Sequence, residues 1–400
     1  MSLRIAVTGC GPAGLATAIM LSGQGHQVTL FERFASPRPI GSGIILQPTG
    51  LAVLRELGLN DEIHTLGRRI DRIHGVSMPS HRQVLNVDYS VLGDDYHGLA
   101  VHRAALFDVL YDKAQGCDLT ILNNVDVQDV ACSDQAIAVV DRNHERHGAF
   151  DIVVDASGAG TRLRSHAVHP TRLRELAYGA LWGAFDWPDA NFDSSTLEQR
   201  YVGAHTMIGV LPIGRHAGIA NDQVAFFWSI KTRDQERWLR DGLESWKSSV
   251  MAIWPETHVI LDQITAASDM ALASYGHCTL RTPFGHRIAF LGDAAHSTSP
   301  QLGQGANMAL LDAWTLSKAL EQCKDVQTAL TTYAASRRWH VRAFQAASLA
   351  LTPFYQSDSR VLALLRDGLF DPVAKLPIAR RIVAGLISGM LGRLPRGLRV

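Results

Sequence analysis

Three groups of residues have the types and spacing to do chemistry. The first is the run Gly9-Cys10-Gly11-Pro12-Ala13-Gly14, followed 18 residues later by Glu32. In such a run Gly9 permits a tight turn, Gly11 lets the backbone approach a pyrophosphate, and Gly14 lets a helix pack close to a strand. The phosphates would lie on the free N–H groups of the helix start, where the helix dipole favours an anion. Glu32 can accept both hydroxyls of an adenosine ribose and disfavours a 2′-phosphate, so the bound nucleotide is NAD or FAD rather than NADP. The second group is Gly292-Asp293-Ala294-Ala295-His296 with Ser299-Pro300-Gln301-Leu302-Gly303-Gln304-Gly305-Ala306-Asn307. Asp293 can bind a polyol hydroxyl, and the 303–307 amides at a helix start can face a polar ring edge. The third is Asp151-Ile152-Val153-Val154-Asp155-Ala156-Ser157-Gly158-Ala159-Gly160-Thr161-Arg162-Leu163-Arg164.

These groups need elements to hold them. Ile5-Ala6-Val7-Thr8 reads as a buried strand before the first glycine run, 15–22 as a helix, and Val28-Thr29-Leu30-Phe31 as a second strand ending at Glu32. Residues 287–291 read as a strand into Gly292-Asp293, and an amphipathic helix runs from about Met308 to Leu320. Between 176 and 280 the pattern changes. Segments 178–185, 199–202, 207–212 and 223–230 are rich in aromatic and β-branched residues between Pro/Gly turns, which predicts a mostly antiparallel sheet. Stretches 186–196 and 231–246 are polar and read as loop and exposed helix, and His144 and His147 as a solvated turn.

The second and third groups resemble the FAD motifs of the single-component aromatic hydroxylases, the flavoprotein monooxygenases typified by p-hydroxybenzoate hydroxylase. Arg38-Pro39-Ile40-Gly41-Ser42-Gly43-Ile44 and Val101-His102-Arg103 also match, and in relatives that arginine contacts the FAD phosphates. The family's middle motif, Asp-x-x-x-x-Ala-Asp-Gly-x-x-Ser-x-x-Arg, has Ser157 here in place of its second Asp and Thr161 in place of its Ser. That departure bears on how nicotinamide engages.

The resemblance implies an α/β fold: a Rossmann-like FAD domain, an inserted antiparallel substrate sheet and C-terminal helices. The FAD domain would be discontinuous, over 1–75, 98–175 and 281–345, with the substrate domain at 76–97 and 176–280 and a helical segment at 346–400. It implies FAD contacts from Gly9, Gly11, Pro12, Ala13, Gly14, Glu32, Arg33, Gly43, Arg103, Val125, Ser157, Gly158, Asp293, Pro300, Gly303, Gly305, Ala306 and Asn307. Pro300 and His296 are the catalytic candidates, with His205 and Tyr201 as further candidates for a base. Trp182, Tyr201, Phe227 and Trp228 include candidates for an aromatic-substrate pocket. The implied activity is hydroxylation of an electron-rich ring by a C4a-hydroperoxide of FAD, after reduction by transient NADH or NADPH, with O2 as co-substrate. A flavin-dependent reductase or oxidase without oxygen insertion is the alternative, and a non-catalytic flavin-fold binding protein a more distant one.

Composition narrows the rest. The 400 residues carry 38 Lys+Arg against 38 Asp+Glu and 46% hydrophobic residues, which excludes a disordered chain. The lack of a basic excess argues against nucleic-acid binding. Five scattered cysteines without a Cys-x-x-Cys pair argue against a disulfide framework or a structural zinc site and fit a reducing compartment. With neither a signal peptide nor a membrane span in evidence, the expectation is a cytoplasmic protein without a metal. From Pro372 onward there are six basic residues and no acidic one (Lys375, Arg380, Arg381, Arg393, Arg396, Arg399), with apolar residues at helical spacing. Such a helix can meet a membrane surface or a second copy of the chain.

Overall fold

Short, almost wholly buried apolar runs build the central sheet, the pattern expected of parallel strands covered on both faces. In the computed structural model, which describes residues 2–36, 42–188, 192–392, 394–395 and 397–400, six strands lie side by side. Their order is Phe284–Gly285, Ile288–Phe290, Ile152–Asp155, Arg4–Thr8, Gln27–Phe31 and Leu119–Leu122, parallel throughout except for the edge hairpin. Thr8 pairs with Asp155, and Asp155 with Phe290, so three neighbouring strands end level. The three chemistry-bearing loops therefore leave the sheet from one edge, at the carboxyl ends of the strands, where open α/β sheets bind ligands. Helices Pro12–Gly23 and Gly305–Gln322 cover one face. A three-stranded meander, Val127–Cys132, Ile137–Asp141 and Arg146–Phe150, covers the other through Val130, Val139 and Phe150. The sequence reading did not anticipate that meander.

The inserted sheet has seven strands, in the order Ala271–Ala273, Tyr178–Asp186, Gln223–Lys231, Thr206–Gly214, Thr196–Val202, Arg72–Ser77 and Arg82–Asp88. All pairs are antiparallel except the one joining Thr196–Val202 to Arg72–Ser77, which is parallel. That last strand starts at Arg72, ahead of the expected domain edge at 76. One face of the sheet packs on helices from 235 to 261, the other on the C-terminal helices. The 231–246 stretch is less exposed than its polar composition suggests. Its polar residues share helices with Trp238 and Trp246, which are buried against Phe226.

The C-terminal part is helical: Val326–Tyr355, Arg360–Ala374 and Pro377–Ile387. The expected boundary at 345/346 falls inside the first of these, a continuous 30-residue helix. Among the described residues no helix is long and apolar enough to cross a membrane. Arg38, Pro39, Ile40 and Gly41 of the motif before Gly43, and Arg393 and Arg396 of the basic tail, lie outside the described residues.

Candidate FAD and substrate site

At the first loop the three glycines do three different things. Gly9 has φ +95°, and a Cβ there would lie 2.8 Å from the Ala156 carbonyl oxygen; one on Gly14 would lie 1.9 Å from the Gly9 carbonyl oxygen. Both positions are sealed by backbone. A Cβ on Gly11 would meet nothing within 4 Å, so its outer side is an open cradle of the kind a pyrophosphate fills. Helix Pro12–Gly23 begins there with no side-chain cap and no acid in its first turn, leaving its N–H groups and dipole for an anion. Glu32 is buried and accepts the Cys10 N–H at 2.9 Å and the Phe34 N–H at 3.0 Å, one on each oxygen. Each oxygen keeps a lone pair for a ribose hydroxyl. Behind it the Val125 N–H donates to the Glu32 carbonyl at 2.8 Å, and Arg33 lies exposed with its guanidinium 4.6 Å from the Phe34 ring centre. Burial, then the Glu32 charge, pushes the Cys10 thiol up to about 12, so it is no nucleophile.

The next loops are stitched together. Arg164 donates to the Ala294 carbonyl at 2.8 Å, the Asp293 carbonyl at 3.1 Å and the Ala159 carbonyl at 2.6 Å, tying the third motif to the second. Asp293 itself is exposed, and its carboxylate takes no hydrogen bond from the described residues, as a ligand for a polyol chain would be. At the far end Gly303 adopts φ +60° and turns the chain into helix Gly305–Gln322, which starts without a side-chain cap or first-turn acid. The N–H groups of Gly305, Ala306 and Asn307 are thus left for an outside acceptor. The Asn307 side chain is spent internally: it accepts the Gln47 N–H at 2.8 Å and donates to the Ile45 and Gly303 carbonyls, each at 3.1 Å. Ser42 Oγ, Gln301 Nε2 and Gln304 Oε1 are buried without a protein partner around this end. Gly43 packs on Ile213 and Ala225, and the Ser42 carbonyl accepts the Arg103 backbone N–H at 2.8 Å, which brings the helix carrying Arg103 to the same place. Cradle, uncapped helix starts and orphaned polar atoms fit an extended dinucleotide from Glu32 to Pro300.

The substrate candidates divide. Trp182 and Phe227 stack with centroids 4.5 Å apart, on the sheet face that shares an apolar cluster with Leu302 and Met308 of the ring-end loop. Tyr275, absent from the sequence reading, joins them: its hydroxyl accepts the Trp182 indole N–H at 3.0 Å. Burial raises the Tyr275 phenol, against the pull of Trp182 and the Arg103 charge, so it stays a proton donor. No motif surrounds Tyr275 in the sequence, and only the fold reveals it. Tyr201 belongs to the same apolar cluster but sits at its C-terminal-helix side. It is fully buried, donates to Gln199 at 2.8 Å and packs on Tyr355 and Arg366, and desolvation lifts its phenol well above the ordinary value. It seals the seam under the C-terminal helices and is not placed as a base. Trp228 points to the opposite face, toward Trp246. His205 sits exposed beside Thr206.

His296 is also not placed as a base. It is buried with Nε2 2.5 Å from Asp312, which accepts the Gly292 N–H at 2.8 Å and the Arg337 Nε–H at 2.6 Å. Burial works to raise the Asp312 carboxyl, but His296 and Arg337 outweigh it and hold it at about 2. Arg337 donates onward to His340 Nδ1 at 2.8 Å, and His340 Nε2–H to the Gly389 carbonyl at 2.9 Å. Since an arginine only donates, His340 must be neutral; burial, then Arg337, pushes it down to about 4. Asp312 and Arg337 read in the sequence as ordinary helix residues. In the meander turn, Asp141, Glu145 and His147 bring ligating atoms within 4.8 Å of one another, with Asp141 already accepting the Asn143 and Glu145 N–H groups of its own turn.

Three loops at the carboxyl edge of a parallel sheet, facing an aromatic-lined antiparallel sheet, define a flavin-binding oxidoreductase. A family model described as "FAD binding domain" matches residues 2–348, and the chain belongs to that family. It binds FAD, and its curated relatives are FAD-dependent hydroxylases and monooxygenases. It is 28% identical to the 3-hydroxybenzoate 6-hydroxylase of Klebsiella oxytoca over 349 residues, covering 84% of each chain. It is 25% identical to the 6-hydroxynicotinate 3-monooxygenase of Bordetella bronchiseptica, covering 84% of this chain and 86% of that one. The fold matches Klebsiella pneumoniae HpxO, solved with FAD and uric acid, at TM-score 0.81 and 19% identity over 98% of both chains. It also matches tetrameric 2-methyl-3-hydroxypyridine-5-carboxylic acid oxygenase at 0.79 and 21% over 96% of both.

Proposed function

We propose that this FAD-dependent monooxygenase takes electrons from NADH or NADPH and adds one oxygen atom of O2 to a small, electron-rich aromatic ring. The observation that carries the reading is the stacked Trp182–Phe227 pair with the Tyr275 hydroxyl, sharing a cluster with Leu302 and Met308 of the ring-end loop. Such a wall offers a flat π surface and one polar handle, which suits a hydroxylated or acidic ring. FAD, when bound, supplies the two-electron chemistry and the activation of dioxygen. The chain's residues bind and orient. The first-turn N–H groups of Gly305, Ala306 and Asn307 can stabilise negative charge on the ring edge, and the apolar wall excludes water. Tyr275 holds its proton for a substrate oxygen.

Five unpaired thiols fit work in the reducing cytoplasm, where nicotinamide cofactors are supplied. We place an outside contact of the enzyme on its basic C-terminal helices. The test of the activity is to load the protein with FAD and screen phenols, aromatic acids, indoles and quinolones for stimulated NADH or NADPH oxidation, with 18O2 and product mass. A product heavier by one labelled oxygen is expected. Reduction and reoxidation of the flavin that yields only hydrogen peroxide with every ring tested would leave the oxidase reading instead.

A further inference from the structure

Among the described residues thirteen large apolar side chains are exposed, and eight of them lie between 361 and 382. Leu364 is 73% and Ile378 76% exposed, and Val361, Leu369, Val373 and Leu376 are exposed on the same two helices and the turn between them. This face is not waiting for the rest of the fold. The inner sides of the same helices are already docked: Arg366 lies 5.0 Å from the Tyr201 ring centre, and Phe370 packs at a tilt on Phe354 with centroids 5.2 Å apart. The Gln304 amide donates to the Ile387 carbonyl and His340 to that of Gly389, which clamps the end of the last helix to the flavin-ring loop.

Charge says what covers the outer face. The exposed charged side chains between 360 and 387 are basic, Arg360, Lys375 and Arg381, of which Lys375 is paired with Asp371. The two acids are half-buried and engaged, Asp367 with Arg366 at 2.8 Å and Asp371 with Lys375 at 2.8 Å. From 359 to the end there are eight basic residues and two acidic ones, against 30 and 36 in the remainder, so a formally neutral chain puts its positive charge at this end. We propose that these two helices seat the enzyme on an anionic phospholipid surface. Val361, Leu364, Leu369 and Ile378 enter the acyl boundary, and Arg360, Lys375 and Arg381 meet the headgroup phosphates. The proposal rests on the reading of the C-terminal helices as an outside contact and is independent of the reaction catalysed. A second copy fits less well, because a two-fold pairing through this face would press its basic groups against their own images. The helices lie on the surface and do not span it, in keeping with their length and charge.

The experiment is flotation of the FAD-loaded full chain with vesicles of phosphatidylcholine alone and of phosphatidylcholine with phosphatidylglycerol in equal parts. The protein is expected to float with the anionic vesicles, to stay behind with the neutral ones, and to be released by salt. Leu364→Glu with Ile378→Glu, and separately Lys375→Glu with Arg381→Glu, should each lower partitioning roughly tenfold or more while the flavin spectrum and thermal melt stay unchanged. Light scattering on the same samples reads the other occupant. No flotation at low salt, or apolar-to-Glu variants that float like the parent, would overturn the proposal. A dimer that the Leu364→Glu and Ile378→Glu pair splits, without vesicle binding by the parent, would give the face to a second copy.

Discussion

The three glycines of the first loop allow a test that separates cofactor binding from folding. Gly11 has φ −78° and ψ 177°, a conformation any residue adopts, and its missing Cβ would touch nothing. Gly11→Ala should therefore fold normally, costing at most about 1 kcal/mol as a poorer helix-start residue than glycine. The added methyl instead occupies the side from which a pyrophosphate must approach. Losing one or two charge-assisted hydrogen bonds there, at about 1.5–3 kcal/mol each, weakens FAD binding roughly tenfold to ten-thousandfold or more. Gly14→Ala is the opposite case. Its Cβ would overlap the Gly9 carbonyl oxygen at 1.9 Å, so helix Pro12–Gly23 must back away from the sheet by more than an ångström. Overpacking of this kind costs about 1–3 kcal/mol or more, and part of that appears as lost stability before any cofactor is added. Urea unfolding of the two apoproteins and fluorescence titration with FAD give both quantities. Parental FAD affinity in Gly11→Ala would refute the placement of the pyrophosphate, whatever the stability of either variant.

Trp182→Ala removes the stacked partner of Phe227 and the donor to Tyr275, and should raise KM for an aromatic substrate roughly fivefold to tenfold, the value of one aromatic contact, with kcat and FAD affinity little changed in steady-state assays. Asp312→Asn leaves Arg337 buried without its anion. It should cost about 3–5 kcal/mol in urea unfolding and loosen FAD through Gly292, and a loss under 1 kcal/mol would contradict the buried pairing. His340 is held neutral with its folded value near 4 against an ordinary 6.5, so its contribution is full above pH 6.5 and fades as pH falls toward 4. Over that window about 3 kcal/mol is at stake. In paired pH series, His340→Gln should lose less stability on acidification than the parent.

What was legible in the sequence was what depends on local chemistry. Glycine spacing around Gly9, Gly11 and Gly14, a carboxylate at Glu32 and the loop after Gly292 each announce a backbone geometry that few other sequences make. Trp238 and Trp246 were hidden because polar neighbours on the same helices lowered the local hydrophobicity, although the tryptophans face the sheet. His296 looked catalytic because histidine commonly is. Its partner Asp312 and the Arg337 that shares that carboxylate lie 16 and 41 residues away, and only helix packing brings them together. Tyr275 had no pattern at all, since a single polar contact to Trp182 leaves no periodic trace.

The departure at Ser157 has a physical account. The family's motif places a carboxylate at this position and a hydroxyl four residues later. Here Asp155, two residues earlier and fully buried, accepts the Ser157 N–H at 3.0 Å and hydroxyl at 2.6 Å on one oxygen and the Thr161 hydroxyl at 2.6 Å on the other. Thr8 adds a fourth donor from the neighbouring strand at 3.1 Å. The Asp155 carboxylate gathers the loop from below. With Asp155 in place, an aspartate at 157 would set a second negative charge within hydrogen-bonding distance of the first, which like charges oppose. Serine at 157 therefore goes with aspartate at 155, and it puts a neutral hydroxyl at the surface of the loop where relatives put an anion. Any partner that meets this loop meets one negative charge fewer.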